Sequence, residues 1–109
     1  MNIYEKYTTI IKEAEKAQNI GDHKTINRIY KEKHRLRSEM LSNVDDYNSY
    51  FINRLENESS YIVLDASIAL LKTNPELATK SLEKLSNQKG LDAFTAKITL
   101  EEWKKGNIN

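Results

Sequence analysis

A row of basic side chains within residues 22–42, a stretch with helical spacing of apolar residues, is the most conspicuous chemical feature of the sequence. Lys24, Arg28, Lys31 and Arg35 follow at intervals of four, three and four residues, which places them on one face of a helix. Positive charges within a Debye length of about 8 Å reinforce one another and attract phosphates or acidic protein surfaces. Solvated outer helix faces are also often rich in lysine, so nucleic-acid contact and a plain solvated face both stay open.

A segment of opposite charge runs from Asp45 to Asp65, where acidic residues outnumber Arg54 and stand beside aromatic residues. The residues that we predict to bind a protein partner are Asp45, Asp46, Tyr47, Tyr50, Glu56, Glu58 and Tyr61. Tyrosine offers a large rigid contact area, and carboxylates can cover a basic groove such as the substrate channel of a toxic nuclease. Alternatively, the tyrosines and Phe51 fill the core at a helix junction, and one helix can serve both purposes on its two faces.

Residues with metal-binding or catalytic potential do not come together in the sequence. His23 and His34 lie on nearly one helix face but about 16 Å apart along the axis, too far to share one metal ion. The neighbouring acids Asp45-Asp46 and Glu101-Glu102 point about 100° apart on a helix, a poor geometry for paired acid and base catalysis. We therefore expect a protein that is not an enzyme and that holds no metal and no cofactor.

Composition limits the class of protein to which the chain can belong. The chain has 109 residues, with 17 Lys and Arg against 16 Asp and Glu, so no strong overall charge attracts nucleic acid. It has no cysteine, which fits a reducing compartment. The mean hydropathy is −0.71, and no apolar run approaches the roughly 20 residues that span a bilayer. We expect one soluble cytoplasmic domain with no membrane contact.

The strongest helix breakers are Gly21, Pro75, Gly90 and Gly106, and each falls between stretches with helical spacing. The pattern predicts an all-α chain of five or six helices, over about 3–18, 22–42, 44–56 and 60–72, then from 75 and from 91 to 106. Asp22 and Asn74 are predicted N-caps, with Pro75 at the first helical position, and Gly106 is predicted to supply a left-handed turn after the last helix.

Apolar spacing also predicts which side chains face the core. For the second helix the predicted inner residues are Ile26, Ile29, Tyr30, Leu36, Met40 and Leu41, with the methylenes of Lys33. For the third helix they are Val44, Tyr47, Phe51 and Leu55, and for the last helix Leu91, Phe94, Ile98, Leu100 and Trp103. The stretch from Ser60 to Lys72 is apolar almost all round, which predicts a helix packed on several sides at the centre of the fold.

A short pattern recurs in the second half of the chain. Residues 64–70 and 94–100 share Ala-x-Ile-x-Leu at an offset of 30 residues, which suits one helical hairpin, although an ordinary helical bundle is the alternative. The stretch from Ser60 to Gly106, with its Asn-Pro-Glu turn at 74–76 and its Leu-Glu-Glu-Trp segment at 100–103, resembles HEAT-like repeats. It is similar to a family of small single-domain bacterial HEAT-like proteins of unassigned function.

The resemblance implies stacked antiparallel helix pairs, a short α-solenoid that works by binding a macromolecule. Residues 1–109 would form a single helical domain, with an N-terminal helix pair over 1–42 and HEAT-like helices over 43–109. Compact proteins of this kind recur among bacterial immunity proteins, so the first expectation is an antitoxin that occludes the active site of a cognate toxin. The alternatives are nucleic-acid binding through the basic face, and a structural adaptor that self-associates through the end carrying Trp103. The oligomeric state stays open.

Overall fold

The computed structural model describes residues 2–108, and that range contains six α-helices and no strand. The helices are α1 Ile3–Ile20, α2 His23–Met40, α3 Val44–Arg54, α4 Ser60–Leu70, α5 Pro75–Ser86 and α6 Leu91–Lys104. The predicted all-α fold is therefore confirmed. Internal contacts divide the chain into two compact units, unit 1 ending at Tyr47 and unit 2 beginning at Asn48, so the division lies inside α3.

In unit 1, α1 and α2 form an antiparallel hairpin. Gly21 joins them in the left-handed conformation (φ 72°), where a side chain would be strained. Asp22 then caps α2 as predicted, because its carboxylate accepts hydrogen bonds from the Thr25 amide at 3.2 Å and the Thr25 hydroxyl at 2.7 Å. These hydrogen bonds lower the pKa of Asp22, the side-chain bond from Thr25 most strongly. The chain thus reverses direction within two residues.

The core of unit 1 includes one charged side chain. Arg37 is only 7% exposed, and its Nε donates a 2.8 Å hydrogen bond to the hydroxyl of Tyr7, which is fully buried. Tyr30, predicted to face inward, is instead 59% exposed and packs its ring edge-on against His34 on its own helix. The buried residues of α2 are Ile29, Leu36, Arg37 and Met40. Tyr30 follows Ile29 directly, so it points about 100° away from Ile29 and lies outside this strip.

In unit 2, α5 packs against both α4 and α6, and α4 also contacts α6. The hydroxyls of Ser67 on α4 and Ser81 on α5 are 2.8 Å apart. The Ser60 hydroxyl, at the start of α4, donates to Asp92 Oδ2, at the start of α6, over 2.7 Å. The N-terminal ends of α4 and α6 therefore lie together, and the two helices run in the same direction.

The recurring pentapeptide occupies equivalent places in α4 and α6. Ala66 and Ala96 are both fully buried, and Leu70 and Leu100 are both in the core. Small residues at these positions let neighbouring helices approach closely. Seven of the eleven residues of α4 are buried, as expected for a helix that is packed on several sides.

The buried face of α6 differs from the predicted one. Its buried residues are Ala93, Ala96, Thr99 and Leu100. Leu91, Phe94 and Ile98 are 60%, 60% and 42% exposed, so their assignment to the core was wrong. The helix carries apolar residues on two faces, and the face with the smaller side chains is the one that is buried.

The residues at the starts and ends of the last two helices adopt the predicted conformations, with one exception. Pro75 opens α5, and Gly106 has φ 77° just beyond the end of α6, where a left-handed residue was expected. Asn74 occupies the N-cap position of α5, but its side chain makes no capping hydrogen bond. Val44, predicted to be an inner residue of α3, is 48% exposed at the first position of that helix. No helix within residues 2–108 has the length and apolar character needed to cross a membrane.

Candidate functional site

The connection between α3 and α4, residues 55–59, forms a corner that the chain itself holds in place. The Leu55 and Asn57 amides donate to the carbonyls of Ile52 and Arg54, both over 3.1 Å. Asn57 Oδ1 accepts from the Ser59 amide at 2.9 Å, and Ser59 Oγ accepts from the Ile62 amide at 3.3 Å to cap α4. Backbone amides and short polar side chains are thus used to fix the corner, and the two glutamates between them are left pointing outward.

Glu56 and Glu58 are the acidic residues of this corner, and both are exposed. Neither carboxylate forms a hydrogen bond or an ion pair with any other residue that the structure describes. Two negative charges therefore stand close together in sequence without an ion pair among residues 2–108, and the cation that lines the same cleft as Glu58 is Lys84. An oppositely charged partner could form charge-assisted hydrogen bonds with them without first breaking an internal pair.

A cleft of about 150 Å³ opens beside the corner. Its lining comes from the corner, α4, α5 and the segment after α5, and consists of Leu55, Asn57, Glu58, Ser60, Val63, Ser81, Lys84, Leu85 and Gln88. Leu55, Val63 and Leu85 are its apolar lining residues, and Glu58 and Lys84 are its charged ones. This combination suits a long side chain with an aliphatic stem and a charged head, as in lysine or arginine.

The predicted tyrosines of unit 2 lie close to the corner in sequence and are half-buried. Tyr61 is in the first turn of α4. Tyr50 packs edge-on against Phe51, with ring centroids 4.9 Å apart, and the Arg54 guanidinium lies 5.2 Å from the Tyr50 ring centroid. Phe51 itself is fully buried. The ring of Tyr50 therefore contributes to packing, as the alternative interpretation expected, while part of its surface stays accessible.

The remaining predicted residues, Asp45, Asp46 and Tyr47, belong to unit 1. Tyr47 is 3% exposed and is a core residue, so it offers no contact surface. The Asp46 amide donates to Asn43 Oδ1 at 3.1 Å while Asn43 Nδ2 donates to Asp46 Oδ2 at 2.9 Å, a reciprocal pair at the start of α3. Burial, with a smaller contribution from the Asp46 charge, raises the pKa of Tyr4. Asp45 alone of the three is exposed with no partner among the described residues.

The basic face of α2 is exposed along its whole length, at Lys24, Arg28, Lys31 and Arg35. Its arginines are already paired. Arg28 Nη2 contacts the Glu13 carboxylate on α1. Arg35 contacts Glu39 at 2.8 Å and Glu32 at 3.7 Å on its own helix. Only the two lysines form no ion pair within the described part of the chain.

Sequence reasoning missed the contribution of α5 to the cleft. Ser81, Lys84 and Leu85 of α5 line it, and so does Gln88 just beyond the end of the helix. Their spacing of three and four residues places them on one helix face, and this signal could have been read from the sequence. What the sequence did not show is that this face meets the corner. His23 and His34 are exposed on α2, and no group of three potential metal ligands occurs among residues 2–108.

Comparison with known proteins adds no assignment: no family model, no curated protein and no solved structure matches the chain. The likeness to HEAT-like proteins and to immunity proteins therefore stays a prediction that rests on the sequence motifs.

Proposed function

We propose that this chain is a non-catalytic protein-binding module whose α3–α4 corner receives a basic surface of its partner. The most specific form of the proposal is a cytoplasmic immunity or antitoxin protein that neutralises a cognate toxin by occluding its active site. The observation that carries it is the pair of exposed carboxylates, Glu56 and Glu58, which form no ion pair with any described residue. The immunity role itself comes from the sequence resemblance.

The corner is suited to binding because it is already ordered. Backbone hydrogen bonds fix the loop at its α3 end, and the Asn57 and Ser59 side chains, which accept from backbone amides, fix it at its α4 end. A surface that is fixed beforehand loses less conformational entropy on association, so more of the contact energy appears as affinity. The cleft adds an apolar wall against which the stem of a partner lysine or arginine would pack while its head reaches Glu58.

Charge explains why occlusion of an active site is the favoured mode. An enzyme that cleaves or modifies nucleic acid carries a basic groove, because phosphate contacts supply much of its affinity for the substrate. Closely spaced carboxylates on a rigid corner present the same sign of charge as phosphates and would occupy such a groove. Complementary charge also speeds encounter, which an inhibitor of a toxin requires.

The test is affinity capture from the native lysate with the wild-type chain and with the double variant Glu56→Lys/Glu58→Lys. Glu83→Lys is the matched control, because Glu83 is an exposed carboxylate of the same unit that does not line the cleft. We expect one protein in stoichiometric amount with the wild type and the control, and its loss with the double variant. Nuclease treatment of the lysate should leave the complex intact.

The immunity role is tested on the captured protein itself. Expressed alone it should stop cell growth, and the wild-type chain should restore growth while the double variant should not. A partner that is harmless, or a complex that the double variant forms as well as the wild type, would contradict the proposal.

Nucleic-acid binding is the second candidate, favoured by the exposure of all four basic residues along one face of α2. The pairing of Arg28 with Glu13 and of Arg35 with Glu39 reduces the charge available to phosphates. Binding of a DNA duplex that falls steeply with salt and is lost when Lys24 and Lys31 are neutralised would support this candidate over the first.

A further inference from the structure

The cleft beside the corner is lined by two charges of opposite sign. Glu58 comes from the α3–α4 corner and Lys84 from α5, and both residues are exposed. Neither forms an ion pair or a side-chain hydrogen bond with any residue that the structure describes. A partner that binds here therefore does not have to break an existing contact of either charge.

Lys84 is not the only group in the lining that favours an anion. Ser60 is the first residue of α4, and the first turn of a helix carries partial positive charge. Asn57 Oδ1 accepts from the Ser59 amide, while Nδ2 of the same side chain makes no hydrogen bond with the described residues. The lining thus contains an ammonium, an amide donor and a helix start that suit a carboxylate, besides the carboxylate of Glu58 that suits a basic group.

Charged residues close to the cleft in sequence do not give it a single sign. Those within four residues of the lining that do not themselves line it are Glu56, Asp65, Glu83 and Asp92 against Arg54, Lys80 and Lys89. These charges nearly cancel, and Asp92 also accepts a hydrogen bond from the Ser60 hydroxyl. The charge pattern that a bound group meets is therefore set by Glu58 and Lys84.

We propose that the cleft binds a partner surface that carries a basic side chain and a carboxylate side by side, with the basic group against Glu58 and the carboxylate against Lys84. This inference rests on the proposed function and names the charge pattern of the partner. The cleft holds only about 150 Å³, so a lysine or arginine that reaches Glu58 also approaches Lys84. A partner without the carboxylate would leave Lys84 facing a like charge, which lowers affinity and so excludes purely basic surfaces.

The sign of the effect of Lys84 separates this partner from a purely basic one. With a purely basic partner, replacing Lys84 by glutamate removes a repulsion and adds an attraction, so the affinity rises. With the partner that we propose, the same replacement puts two carboxylates against each other, so the affinity falls. Lys80 is the matched control position, because it is an exposed lysine of α5, one turn before Lys84, that does not line the cleft.

Peptide probes test the charge pattern directly. Capped glycine peptides carry one arginine and one glutamate, adjacent or separated by one or two glycines, and each has a twin with glutamine in place of glutamate. Amide chemical shifts of the ¹⁵N-labelled chain, at an ionic strength of about 0.1 M, give the affinities. At least one arginine–glutamate peptide should bind about twofold to fivefold more tightly than its twin, although the twin has the larger net positive charge. Lys84→Gln should remove this preference, and Lys80→Gln should keep it.

The peptide pairs also separate this inference from the proposed function. Peptides that all shift the amides of residues 55–61, with no preference within any pair, would overturn the charge pattern and leave the corner standing as a site for basic groups. Peptides that leave those amides unshifted would contradict both.

The complex with the captured partner gives the second test. Lys84→Glu should weaken it by about fivefold to tenfold, while Lys80→Glu, which changes the net charge equally, should alter the affinity by less than about twofold. Both positions are exposed, and circular dichroism will show that both variants keep the helical fold. A Lys84→Glu variant that binds more tightly than the wild type would overturn the inference, and the proposed function would still stand if Glu56→Lys/Glu58→Lys abolishes binding.

Discussion

The basic face of α2 and the acidic α3–α4 corner carry opposite charges, and they differ in how far the protein already neutralises those charges. Both arginines of the basic face contact carboxylates, Arg28 that of Glu13 and Arg35 that of Glu39. Glu56 and Glu58 contact no cation among the described residues. The basic row is longer in the sequence, yet the corner has the larger share of its charge available to a partner.

The difference follows from where each segment lies in its unit. The antiparallel hairpin brings Glu13 of α1 alongside Arg28, and helical spacing brings Glu39 one turn from Arg35. The corner is a five-residue connection between helices, and the polar neighbours of its glutamates are used for backbone hydrogen bonds. Exposed ion pairs are individually weak, but they lower the local potential that a distant partner experiences.

The largest expected effect is on affinity for the partner, which charge changes in the corner should lower far more than charge changes in the α2 face. Glu56→Lys/Glu58→Lys should weaken the partner complex at least about 100-fold, or about 2.7 kcal/mol, because two attractive contacts become repulsive. Lys24→Gln/Lys31→Gln, which neutralises the two lysines of the basic face that form no ion pair with the described residues, should change the affinity by less than about twofold. Isothermal titration calorimetry with the captured partner measures both. A larger loss for the lysine variant would reverse the comparison.

A smaller effect on DNA affinity is expected when the carboxylates that pair with the arginines of the basic face are removed. Glu13→Gln/Glu39→Gln should raise the affinity for a short DNA duplex by about threefold to tenfold at low salt, because it releases Arg28 and Arg35. Fluorescence anisotropy of a labelled duplex at several salt concentrations gives the affinity and its salt slope. Glu83→Gln, which removes an exposed carboxylate from unit 2, is the control. No gain over that control would show that the ion pairs do not mask the face.

The smallest expected effect is on the thermal stability of the fold and concerns Asp22, whose carboxylate caps the start of α2. Its hydrogen bonds from Thr25 lower its pKa, so the unfolded chain takes up a proton at a higher pH than the folded chain does. The stabilisation is therefore present above the ordinary carboxyl pKa of about 3.9 and is lost as the pH falls through the lower folded value. Asp22→Asn keeps a capping side chain but removes the charge.

Thermal unfolding of wild type and Asp22→Asn across the acid range measures this dependence. The wild type should melt at the higher temperature near neutral pH, and the gap should narrow once the pH falls below about 4. A gap that is constant down to the lowest pH would mean that the Asp22 charge does not stabilise α2.

Local signals in the sequence were enough for the six helices. Asp22 and Gly106 were placed correctly because capping and left-handed turns depend on a few adjacent residues. The equal burial of Ala66 and Ala96 could likewise be anticipated from the repeated pentapeptide. Such features need no knowledge of which helices meet.

The predictions were wrong where the buried face of a helix depends on the helix packed against it. α6 has two apolar faces, and periodicity alone does not tell which one is buried, so Phe94 was placed inside and lies outside. Tyr30 was misplaced because the apolar spacing of α2 allowed a wider inner face than the strip with Ile29 and Leu36 that packs in unit 1. The contact of Arg28 with Glu13 likewise depends on the register of the hairpin, which the sequence does not state.

The central claim, that the corner has a larger share of its charge available to a partner than the α2 face has, is tested most directly by amide chemical shifts of the ¹⁵N-labelled chain. A short peptide rich in lysine and arginine and a DNA duplex would be titrated separately, at a physiological ionic strength of about 0.15 M. The account predicts that the peptide shifts the amides of residues 55–61 and of the cleft, while the duplex leaves α2 unchanged. Duplex-induced shifts along α2, with the corner silent towards the peptide, would contradict it.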